Sequence, residues 1–135
     1  MTYIDDLYKN KKWYLAHEIL YIEVNEALNQ ESFWVWENLI LIQADNPEEA
    51  LDKAMINGQN SEGPVEIHGI KGYLTFKGLK NLILIYDELE DGAELEWMEY
   101  EVNKEKLEQM VRTKQDMQAF NLKKSFEKSQ SVLES

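Results

Sequence analysis

Between Trp13 and Val24 the chain is apolar at both parities of an extended segment. Leu20, Ile22 and Val24 fall on one face, and Trp13, Leu15, Ile19 and Tyr21 fall on the other. Two apolar faces suit a strand in the middle of a sheet, or one covered on both sides. Phe33 to Ala44 repeats the pattern, with Trp34, Trp36, Ile40, Ile42 and Ala44 on one face and Val35, Leu39 and Leu41 on the other. The polar stretch Asn25 to Ser32 between them is a loop of ordinary length, so an antiparallel pairing of the two strands is expected.

Asp45-Asn46-Pro47-Glu48-Glu49 is the clearest local signal. Asn46 is a good N-cap, Pro47 suits the first helical position, and the two glutamates favour the positive end of the helix dipole. Ala50, Leu51, Ala54 and Met55 follow at helical spacing, and Asn57-Gly58 reads as the stop, predicting a short helix over about 47–57. Val65 and Ile67 form a short strand, broken near Gly69 and Gly72, and Tyr73 to Lys77 form another. After Gly78, residues 79–85 are either a strand or a turn of helix, since period alone does not separate the two. Glu90-Asp91-Gly92 is a turn. Ala93 to Val102 reads as a strand whose apolar parity slips at Trp97-Met98, as a bulge would produce.

Two helices complete the expectation. Thr2-x-x-Asp5 resembles a capping box ahead of a short helix over 3–9. Asn103 is a cap for a longer helix that runs to about residue 120, with Leu107, Met110, Val111, Met117 and Phe120 in one stripe interrupted by Lys114. The fold class is therefore α+β. It has a mainly antiparallel sheet of about four or five strands, a short helix after the second and a longer C-terminal helix. Residues 1–122 form one domain and 123–135 a frayed or flexible tail.

Charge bounds the function. The net charge is −12, carried by residues 1–103 at −14, while residues 104–135 stand at +2. Such a body repels phosphate backbones and anionic lipid and attracts a basic protein, so no nucleic acid and no membrane is expected as a partner. The chain has no cysteine, which rules out disulfides, thiolate metal sites and cysteine nucleophiles. Residues 1–6 show no basic segment followed by an apolar one, and the longest apolar run, Leu82 to Tyr86, is too short to span a bilayer, so a cytoplasmic location is expected.

The search for site chemistry returns no metal, cofactor-binding or catalytic set. Asp87-x-x-Glu90-Asp91-Gly92 fails as a calcium loop, because Leu89 and Met98 would stand where oxygen ligands are required. The eight carboxylates of residues 87–101 read as a solvated face. His17 and His68 show no metal spacing and read as hydrogen-bonded structural residues. No nucleophile elbow or phosphate loop is present. What stands out is a surplus of aromatics: Trp34, Trp36, Trp97 and Tyr100, with Glu94, Glu96 and Glu99, form a candidate interaction surface.

A set of residues in order carries a family pattern: Trp13-Tyr14-x-Ala16; Trp36-Glu37, Leu39, Ile42 and Ala44; Glu48-Glu49-Ala50, Lys53 and Ala54; Phe76-x-Gly78-Leu79, Leu82, Asp87 and Asp91-Gly92-x-Glu94. Over about residues 13–102 the chain resembles the bacterial family called domain of unknown function 4288. The resemblance implies a small bacterial intracellular domain and supplies no activity or functional residue. The leading expectation is a protein-interaction module, of an inhibitor or immunity type, meeting a basic partner. The alternatives are a small-molecule-binding domain or modest enzyme using carboxylates with His17 or His68, and a structural homodimer subunit paired through Leu107, Met110, Met117 and Phe120.

Overall fold

The computed structural model describes residues 12–25 and 29–120. The helix expected over 3–9 and the tail expected over 123–135 lie outside them. Four strands form one antiparallel sheet: β1 (Lys12–Val24), β2 (Val35–Ala44), β3 (Gly63–Ile67) and β4 (Ile70–Leu84), in the order β2-β1-β4-β3. β1 is interior, as its two apolar faces require, and pairs with β2 from Lys12↔Ala44 to Tyr21↔Val35 without a register shift.

Helix α1 (Pro47–Asn60) follows β2 and lies on the face to which the even-numbered residues of β1 point. The Asn46 side chain accepts a hydrogen bond from the Glu49 N–H at 2.8 Å. Removing that cap by Asn46→Ala should cost about 1 kcal/mol, read as a lower urea midpoint with an unchanged slope. Ala50, Ala54 and Gly58 are buried at four-residue spacing, so the helix lies close upon Tyr14, Ala16, Ile42 and Ala44. The stop expected at Asn57-Gly58 is corrected: the helix continues to Asn60 and ends on Ser61. Gly58 is used for packing, since a Cβ there would meet the Phe76 ring at 2.4 Å.

Beyond the end of the helix the same face curls over a second cluster, Leu20, Ile22, Val65, Ile67 and Leu74, with Trp36 and Phe76 packed against it. The curl brings Trp34, just ahead of β2, to 5.5 Å from the ring of His68 in the β3–β4 turn. That turn is His68-Gly69, both at positive φ, which suits a two-residue hairpin between twisted strands. Gly72, expected as a break, lies inside β4.

β4 resolves the ambiguity over residues 79–84 as strand, and Ile85 lies just past its end. The strand runs through Gly78 (φ 148) by carrying one extra residue on either side of it, Lys77 and Lys80, opposite two register shifts in β1. Two further expectations are corrected. Residues 93–102 form no strand, so the sheet has four strands among the described residues. The parity slip at Trp97-Met98 leaves no single face to bury, and Leu95, Trp97, Met98, Tyr100 and Val102 are all exposed. The C-terminal helix is only six residues, α2 (Lys104–Gln109), capped by Asn103 and followed by two 3₁₀ turns, Lys114–Asp116 and Gln118–Phe120. Its apolar stripe is exposed, and a helix with no packed face is not sustained over many turns.

Candidate functional site

The sheet's second face carries the odd-numbered residues of β1. Leu15 and His17 are buried there, and Ile19 and Tyr21 are half-buried. Tyr21 meets Phe33 edge to face at 5.4 Å. His17 is the centre of a charged cluster. Its Nε2 lies 2.9 Å from Glu96 Oε2, and its Nδ1 lies 4.0 Å from Glu37 Oε2. The Glu96 contact is close without being an aligned N–H···O hydrogen bond. Lys80, one of the two extra residues that β4 carries, reaches Glu37 Oε1 at 3.0 Å. Two carboxylates thus lie beside a histidine that is 7% exposed, and a lysine pairs with one of them.

The Glu96 contact ties the acidic segment after β4 to the sheet. The turn ahead of it is closed by Ala93 N–H donating to Glu90 O at 3.0 Å and Glu94 N–H donating to Asp87 Oδ2 at 3.0 Å. Past Glu96, Trp97 is 69% exposed and Tyr100 is 61% exposed, with Glu94 and Glu99 also exposed. Trp34 and Trp36 are placed elsewhere. Trp36 packs against the cluster of Leu20, Ile22, Val65, Ile67 and Leu74, and Trp34 stands beside His68. The four aromatics therefore lie on two faces: one pair beside the core of the curl, the other on a segment clipped to the opposite side.

The two histidines are likewise apart, His17 buried on the second face and His68 exposed at the β3–β4 turn. Among the described residues, no group of three or more acidic or histidine side chains is arranged to hold a metal ion. No described helix is long and apolar enough to cross a membrane.

The burial of one polar residue was not foreseen from the sequence. Glu18, in the middle of β1, faces α1 and is wholly buried. Burial raises its carboxyl above the ordinary carboxylate range. With the Asn57 amide turned so that its nitrogen faces the carboxylate, it stands 2.6 Å and 3.3 Å from the two oxygens. The alternation along β1 did signal that position 18 points into the helix-covered face.

A curled four-stranded antiparallel sheet with a helix packed on one face makes this an α+β domain. The sequence profile of the family described as Domain of unknown function (DUF4288) matches residues 13–97, and the chain belongs to that family. The match begins at Trp13, whose carbonyl accepts from the Ile85 N–H at 3.0 Å, and ends one residue past Glu96. No curated protein and no solved structure matches the chain.

Proposed function

We propose that this domain is a protein-interaction module that meets a basic partner through the acidic segment after β4. The observation that carries the reading is the character of residues 87–101: eight carboxylates, no Lys or Arg, and exposed Trp97 and Tyr100 set among them. Clipping Glu96 to His17 holds the segment against the sheet and lowers the entropy lost when a partner orders it. Exposed Trp and Tyr supply apolar anchors, and the surrounding carboxylates steer a cationic surface. An inhibitor or immunity-type role in a bacterial cytoplasm is the form of this reading that fits a small acidic domain without recognisable site chemistry.

The test is capture of partners from host lysate by the full chain at low and high salt. A basic protein bound at low salt and released at high salt is the expected result. Trp97→Ala with Tyr100→Ala should then weaken its binding by about 2 kcal/mol or more, roughly thirtyfold in Kd by titration calorimetry. Capture unchanged in that double variant would reject the segment as the contact surface.

A further inference from the structure

The two sides of the sheet are guarded very differently. β3 is five residues long and carries Gly63 and Pro64, which blunt it as a template for another strand. Beyond β3, the outer side of β4 is interrupted by Gly78 and its two extra lysines, and Glu62 Oε2 takes up the Phe76 N–H at 2.9 Å. Among the described residues, β2 has no such defence along most of its length. Its ten residues, Val35–Ala44, include no Pro, Gly, Lys or Arg, and it carries no bulge against β1. Among the described residues no strand pairs with its outer edge.

The backbone direction of that edge follows from one bond. Ile22 N–H donates to Trp34 O at 3.1 Å, so the even-numbered residues of this segment turn their polar backbone groups toward β1. Val35, Glu37, Leu39, Leu41 and Gln43 therefore turn theirs outward. The Lys53 ammonium guards only the far end, donating to Gln43 O at 2.7 Å. Leu39 and Leu41, in the middle, are 53% and 45% exposed. A long, regular, apolar edge is the surface on which another strand adds.

We propose that β2 pairs antiparallel with β2 of a second copy of this chain, about a two-fold axis at Ile40. About that residue only Leu39 and Leu41 are identical, and Glu37 and Gln43 alike in shape; Asn38 and Ile42 differ. The symmetric register sets Leu39 against Leu41 of the second copy, and Glu37 against its Gln43, each contact made twice as an isologous interface requires. Glu37 then faces an amide rather than a second carboxylate, and Lys80 already neutralises it within its own chain. Charge favours this edge over other surfaces for self-association. On a chain of net −12, Glu37 is the lone charged residue between Phe33 and Ala44. This inference is independent of the acidic-segment reading and stands or falls separately.

The test is the mass of the full chain by sedimentation equilibrium, from micromolar to near-millimolar concentration at physiological salt. The expected result is a species of twice the 15.9 kDa chain mass, reduced to monomer by either of two edge variants. Leu41→Pro removes one outward N–H that the sheet itself does not use, and Leu39→Lys places a charge at the seam. Each should weaken dimerisation at least tenfold while leaving the circular dichroism spectrum unchanged. If the proline unfolds the chain, the exposed lysine variant decides. A monomeric wild type would overturn the proposal, as would a dimer unaffected by Leu39→Lys but dissolved by Met110→Lys with Phe120→Lys. A monomer whose Leu39 and Leu41 amides resist hydrogen exchange would show the chain's own ends covering the edge, and would overturn it equally.

Discussion

Gly72→Ala lowers the stability of the domain by about 2–3 kcal/mol. Gly72 is buried in β4, opposite Val24 of β1 and Val65 of β3. A Cβ built there stands 2.6 Å from the Glu23 carbonyl oxygen and 2.8 Å from Ile22 Cγ2. The oxygen belongs to the backbone of the paired strand and has no rotamer to escape into, so β1 and β4 must part. Gly63→Ala is the internal control. No atom lies within 4 Å of its added Cβ, and its effect should stay within about 0.5 kcal/mol. Urea unfolding of the two variants beside wild type separates them: equal midpoints for both would mean that the close strand approach at Gly72 is not a constraint.

Glu18→Gln works in the opposite direction, raising stability at neutral pH by about 1–2 kcal/mol. The carboxyl is buried against α1, and burial raises its folded-state affinity for a proton above that of the unfolded chain. Between the ordinary carboxylate range and the raised folded value, the native state binds more protons than the unfolded one. Native stability therefore falls as pH rises through that window, and the penalty is fully present above it. An amide of the same size keeps an acceptor for the Asn57 nitrogen and carries no charge to desolvate. The gain should be largest near pH 8 and shrink as pH is lowered toward the ordinary carboxylate range. Thermal unfolding at several pH values reads it as a shift of several degrees. A gain of the same size at every pH would remove charge burial as its cause.

The parts of this fold legible in the sequence are those whose signals are local. The Asn46-Pro47 start of α1 needs only its own side chain and φ, and it stands where the residues placed it. The interior position of β1 followed from its apolar parity alone. Signals that depend on distant partners misled. Gly58 looks like a helix stop because a glycine that caps and a glycine that packs are the same letter; the Phe76 ring decides between them. β4 lost its period at Lys77 and Lys80, because the two extra residues exist only relative to β1. The alternation over 93–102 imitated a strand, yet its parity slips at Trp97-Met98 and the apolar residues of both parities stay exposed. In the candidate site, Glu96 and His17 were each singled out, but their contact joins two segments far apart in the chain and no spacing announces it.

β1 shares its backbone bonds between two neighbours: its even residues serve β2 and its odd residues serve β4. These partners arrive at different times. β2 returns after a short connection, whereas β4 must be gathered across the whole of α1 and β3, and the entropy of closing a chain grows with its length. The β1–β2 hairpin, with α1 seated on it, is the natural early structure in refolding, and the zippering of β4 along the waiting half of β1 is the late step. Substitutions in the hairpin core should therefore slow folding, and those along β4 should chiefly hasten unfolding. The domain's lifetime against unravelling is then expected to depend on the irregular seam beside Gly78, where β4 meets β1 out of step.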